Sequence, residues 1–139
     1  MKILSVDYGD SRIGLAVCDE LEILATPLAT IKSESMRKNI DKISRIATDE
    51  GAKLIVVGLP LNMDGSVGER ASKSQAFGRV LQKVSGIPVE YQDERLTSVE
   101  AEDIMETIGV KKNNRKNIVD RIAAQLILES YLGSKKNKE

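Results

Sequence analysis

The run Leu54-Ile55-Val56-Val57 has no polar side to turn toward water. A strand made from it must be covered on both faces, which is the environment of a parallel strand inside a sheet. Parallel neighbours need crossover connections, and helical patterns lie on either side of the run. Upstream, Met36, Ile40, Ile43 and Ala47 fall at helical spacing from Ser35 to about Glu50, with Gly51 as the stop. Downstream, Ser66 and Glu69 stand at capping-box spacing for a helix over about 67–84, which Gly86 ends. Residues 87–92 read as a further strand. Thr97 and Glu100 form a second capping box, opening a helix that lasts to about Ile108, and 109–116 read as a charged turn. A last helix, over about 117–132, places Val119, Ile122, Ala123, Leu126 and Ile127 on its buried side.

The first third of the chain has a different rhythm. Residues 2–8 alternate, with Ile3, Ser5 and Asp7 on one face and Leu4, Val6 and Tyr8 on the other. Gly9-Asp10-Ser11 is a tight turn, and 12–19 form the returning strand of a hairpin. A third strand over 23–31 contains Pro27, which places it at an edge or at a bulge. The resulting order is β-β-β-α-β-α-β-α-α. An antiparallel meander followed by crossover units predicts an α/β fold: a mixed five-stranded sheet with helices on both faces, the order of the ribonuclease H-like fold. The 139 residues suit one domain over 1–139, with 134–139 expected as a flexible basic tail.

Absences narrow the chemistry. Histidine does not occur, which removes Ser-His-Asp and Cys-His hydrolysis, histidine-ligated zinc and two-histidine ribonuclease chemistry. Any hydrolysis must then use carboxylates, lysine or a carboxylate-bound metal. Trp is absent and Phe77 is the only phenylalanine, so a stacking platform for single-stranded bases is poorly provided for. Cys18 is the only cysteine, which leaves no intrachain disulfide. No apolar stretch is long enough for a bilayer, and Asp7 comes too early for a secretory signal; no membrane partner and a cytoplasmic location are expected.

Three acids stand out. Asp7 shares a sheet face with Ile3 and Ser5, where a carboxylate is costly unless paired or metal-bound. Glu94 follows the fifth strand, and ligands of open α/β sheets gather beyond the carboxyl ends of parallel strands. Asp120, with Asn117 as cap, falls in the first turn of the last helix, where an acid favours the helix dipole. Each also has an ordinary role, as a turn, surface or capping residue. If they converge, their oxygens suit Mg2+ or Mn2+, and a pair of such ions can bind the attacking water and the leaving oxygen of a phosphodiester, a two-metal mechanism that needs no histidine.

Other residues could hold a polynucleotide. Formal charge is zero, but Lys111, Lys112, Arg115 and Lys116 concentrate positive charge in a short stretch. Arg12, Arg70, Arg95 and Arg121 could reach a backbone phosphate. Gly58, Asp64, Gly65 and Ser66 lead toward a helix N-terminus and suit a phosphate loop. A plain capped loop explains the same residues.

Four motifs in order resemble the YqgF (RuvX) family: Asp7-Tyr8-Gly9-Asp10-Ser11-Arg12-Ile13-Gly14-Leu15-Ala16; Val57-Gly58-Leu59-Pro60 with Asp64-Gly65; Asp93-Glu94-Arg95-Leu96-Thr97-Ser98; and Val119-Asp120-Arg121-Ile122-Ala123-Ala124. The match runs from residue 3 to about 132. The resemblance implies a ribonuclease H-like nuclease with Asp7, Glu94 and Asp120 as its acidic site. Its implied substrate is the 5′ end of pre-16S rRNA, with four-way DNA junctions as the alternative; a junction resolvase would be a homodimer, because its substrate has two-fold symmetry. A non-catalytic nucleic-acid-binding module would gain little from three acids where phosphate must lie. An actin-like nucleotide site, built between two such domains, would not fit in 139 residues.

Overall fold

The computed structural model describes residues 1–95, 104, 106 and 115–138. Five strands, β1 (Ile3–Tyr8), β2 (Arg12–Cys18), β3 (Ala25–Lys32), β4 (Leu54–Leu59) and β5 (Val89–Asp93), form one sheet in the order β3-β2-β1-β4-β5. The β1–β2 and β2–β3 pairs are antiparallel; β1–β4 and β4–β5 are parallel. The expected mixed sheet is therefore present, with the apolar run of β4 flanked by parallel partners on both sides. Pro27 lies in edge strand β3, opposite Ala16, where the register shifts. That position satisfies both expectations, since an edge and a bulge each spare proline a ladder bond.

The alternation of β1 divides the core. Leu4 and Val6 face α1 (Met36–Glu50) and α2 (Glu69–Ser85), packing with Ile40, Ile43, Phe77 and Leu81, and Tyr8 stacks on Phe77 with ring centroids 4.0 Å apart. Ile3 turns the other way, joining Cys18, Val56, Ile127, Leu128 and Leu132 under the last described helix, here α3 (Arg115–Lys138). Ser5 shares that side and is fully buried; its hydroxyl donates to the Ala124 carbonyl at 2.6 Å. Asp7 thus lies on the face that α3 covers.

Helix ends depart from expectation where local side chains compete. Ser35 caps α1, accepting from the Lys38 amide at 3.2 Å, and Gly51 ends it at φ 74°. α2 does not use the Ser66–Glu69 capping box. It begins at Glu69, with Gly68 as a cap that makes no side-chain hydrogen bond. Asp64 has captured Ser66 instead: its Oδ1 accepts from the Ser66 amide at 2.9 Å and from the hydroxyl at 2.6 Å. A residue tied into an Asx turn cannot also cap a helix three positions on.

α3 starts before Asn117, so Asn117 is no cap and Asp120 lies beyond the first turn. Arg115 and Lys116 are good helix formers, and nothing at Asn117 breaks the helix. It also runs past 132, through most of the segment expected to be a flexible tail, where Lys135 Nζ pairs with Glu22 at 2.8 Å. Val119 and Leu126 are half-buried beside Ile118 and Ile122 rather than in the sheet-facing stripe. The Thr97–Glu100 capping box, Lys111 and Lys112 lie outside the described residues; of the helix expected after that box only 104 and 106 are described, both helical. Among those described, no helix is long and apolar enough to cross a membrane.

Candidate active site

The site lies at the carboxyl end of β1 and β5, under the start of α3. Asp7 sits near the end of β1, opposite Gly14 of β2. Glu94 follows β5 directly, and its amide donates to the Leu59 carbonyl at the end of β4 at 3.2 Å. The parallel register brings both carboxylates to one edge, as expected from their positions after parallel strands. They line one cavity of about 730 Å³ together with Asp120, Arg12, Arg70, Arg95, Glu69 and residues 60–63.

Two of the three acids touch. Asp7 and Glu94 share a side-chain hydrogen bond, which requires a proton between them. Burial is the main reason one stays: with the neighbouring charges included, Asp7 is raised to about 6 and Glu94 to about 9. Each acid then acts on the other. The hydrogen bond favours ionised Asp7 and protonated Glu94, so the pair titrates as a unit with Asp7 losing its proton first. Within that balance the Asp120 charge raises Asp7, while Arg70 pulls both acids down.

Asp120 lines the cavity but turns to another partner: Arg12 Nε donates to its Oδ2 at 2.6 Å. Among the described residues, no three His, Cys, Asp or Glu side chains are grouped closely enough to hold a metal ion. The fold delivers all three carboxylates to one cavity, with two joined and the third held by an arginine.

Two glycines make this approach possible. A Cβ on Gly14 would stand 2.0 Å from the Asp120 carbonyl oxygen, so only glycine lets α3 lie this close to β2. A Cβ on Gly58 would meet Glu94 Oε2 and Ile127 Cδ1, each at 2.5 Å. Gly58, expected in a phosphate loop, instead makes room for Glu94. Gly14 was not singled out from sequence, although a glycine inside a strand is the usual sign of a close backbone approach.

The remaining candidates separate. Arg12, Arg70 and Arg95 reach the cavity. Arg95 is braced by Asp93 at 2.8 Å and by the Met63 carbonyl at 3.0 Å, so it fixes the 60–66 loop. Asp64, Gly65 and Ser66 do not line the cavity; residues 60–63 present that loop to it. Arg121 borders a different, apolar groove with Pro27, Ile118 and Ile122. Arg115 and Lys116 lie in the first turn of α3.

A family model described as RuvX, Holliday junction resolvase, matches residues 1–134. A Syntrophus aciditrophicus protein named "Putative pre-16S rRNA nuclease" is 44% identical over 132 residues, 95% of this chain and 88% of that one. An Acetivibrio thermocellus protein of the same name is 44% identical over 137 residues, 97% of each chain. Among solved structures, T. thermophilus RuvC in complex with Holliday junction substrate aligns with a TM-score of 0.62 at 15% identity, over 99% of this chain and 96% of that one. Fowlpox virus resolvase in complex with substrate Holliday junction DNA aligns at 0.61 and 16% identity, over 97% and 99%. At those identities the likeness bears on the fold, which is ribonuclease H-like.

Proposed function

The chain belongs to the RuvX family of Holliday junction resolvases, and from that membership we propose that it hydrolyses phosphodiester bonds near the 5′ end of pre-16S rRNA, using Asp7, Glu94 and Asp120. The observation that carries the reading is the Asp7–Glu94 contact, buried at the end of parallel strands in a cavity that arginines also line. Two carboxyls pressed together hold a proton where a cation would satisfy both, and their hard oxygens suit Mg2+ or Mn2+. Asp7 and Glu94 would hold that ion, with Asp120 the third donor. A divalent ion there would supply an acidified water and offset charge on the departing oxygen.

The protein's own groups do the rest. Arg70, in the first turn of α2, bears on both acids and faces the same cavity, where it can orient the scissile phosphate. Arg70→Ala is expected to lower kcat about 10–100-fold, since a hydrogen bond to a charged group contributes roughly 1.5–3 kcal/mol. Arg70→Lys should recover part of the loss; full activity in the alanine protein would remove Arg70 from the reaction.

A four-way DNA junction is the second reading, favoured by the description of the family itself. The two substrates demand different assemblies. A junction needs two sites related by two-fold symmetry, hence a homodimer, whereas one RNA end needs a single site. The test is Mg2+- or Mn2+-dependent cleavage of rRNA precursor and junction DNA in parallel, with solution mass and Asp7→Asn as control. Preferential cutting of the precursor, lost in Asp7→Asn, supports the first reading. Cutting of the junction alone by a dimer selects the second. Nucleic-acid binding without metal-dependent cleavage would leave a binding module. A cytoplasmic location accords with either substrate.

A further inference from the structure

We propose that Arg12 is a positioning residue that latches Asp120 away from Asp7 and Glu94 while no nucleic acid is bound. The inference rests on the metal-site reading above. The Asp120 main chain is already in place: its carbonyl lies against Gly14, the residue paired with Asp7 across the β1–β2 ladder. Ser5 Oγ fixes the next turn of α3 to β1 through the Ala124 carbonyl at 2.6 Å. The helix therefore has no room to move closer. What keeps the Asp120 carboxylate from its two counterparts is side-chain direction, and that direction is set by the 2.6 Å bond from Arg12. A change of χ1 between staggered wells is enough to redirect so short a side chain.

Arg12 is the more accessible partner, with 36% of its side chain exposed against 15% for Asp120. It lines the cavity from the first position of β2. A guanidinium binds a phosphate as readily as a carboxylate, so a polynucleotide entering the cavity offers Arg12 a replacement partner. Asp120 is then free to complete a three-carboxylate site. Phosphate binding and cation binding become coupled, and the coupling is reciprocal.

The test is calorimetric titration of Mn2+ into the whole, nucleic-acid-free protein. Arg12→Gln is expected to bind Mn2+ about tenfold more tightly than wild type, within the usual range of coupling between sites. Arg12→Lys, which can still pair with Asp120, should remain close to wild type. Asp120→Asn alone should change the affinity little, because the latched carboxylate is not a ligand; in the Arg12→Gln background the same substitution should cost the whole gain. An additive cycle, or no gain in Arg12→Gln, overturns the latch. Sulfate, a tetrahedral dianion, stands in for phosphate: replacing chloride at equal ionic strength, it should tighten Mn2+ binding to wild type relative to Arg12→Gln. An equal response of the two proteins also counts against the proposal. Asp7→Asn separates the two readings. If it leaves Mn2+ affinity intact, the metal site itself is misplaced; if it abolishes binding while Arg12→Gln has no effect, only the latch fails.

Discussion

Glu94→Gln is expected to unfold at a higher temperature than the wild type at pH 8, in the absence of metal, and to cleave nothing. The stability gain follows from the same burial that equips the site. In the unfolded chain Glu94 ionises near its ordinary value of 4.5; in the folded protein its carboxyl is raised to about 9, and Asp7 from 3.8 to about 6. Between those limits the native state binds more protons than the unfolded state, so stability falls as pH rises from about 4 through about 9. Glutamine fills the same space without a charge to desolvate, and the slope should flatten. Thermal unfolding at pH 5 and pH 8 measures this: the two proteins should be close at pH 5 and separate by several degrees at pH 8. Mn2+ should raise the melting temperature of the wild type at pH 8 and leave Glu94→Gln unmoved, because a ligand stabilises only the state that binds it. A wild-type curve that rises with pH across this range would show that the pair is not held protonated by burial.

Among the described glycines, Gly14 should tolerate an added methyl group least. The added carbon would have to occupy space 2.0 Å from the Asp120 carbonyl oxygen, and backbone cannot step aside as a flexible side chain can. Overpacking of this kind costs about 3 kcal/mol, the upper end of its usual range. For a chain of this length that is a fall of roughly 6–12 °C in melting temperature. The activity loss should exceed what instability explains, since relief of the clash lifts Asp120 off the site. Cleavage measured well below the melting temperature separates the two effects. A Gly14→Ala protein with normal activity would mean that α3 can ride higher without consequence.

Much of this arrangement was legible beforehand because it is written in local patterns. Strict alternation in β1 put Asp7 with Ile3 and Ser5, and those residues do face α3. The apolar run of β4 called for parallel neighbours and has them. Glu94 was placed by its position after β5. What stayed hidden depends on partners far apart or on competition at short range. Nothing near Arg12 or Asp120 announces their pairing, because 108 residues separate them. Ser66 and Glu69 have capping-box spacing, yet Asp64, two residues before the serine, reaches it first. Gly58 sits where a phosphate loop would want it, and only the position of the Glu94 side chain shows what its missing Cβ permits.

α3 is fastened to the sheet by bonds that reach back 119 residues to Ser5 and 108 to Arg12. Closing loops of that size is entropically expensive, and such long-range docking is slow compared with the local pairing of the hairpin. Were the helix to lift, the hydrocarbon surface around Ile3 and Val56 would be laid bare, Cys18 would become reachable by thiol reagents, and Asp120 would leave. Loss of this one helix would therefore be enough to end activity even with the sheet still intact.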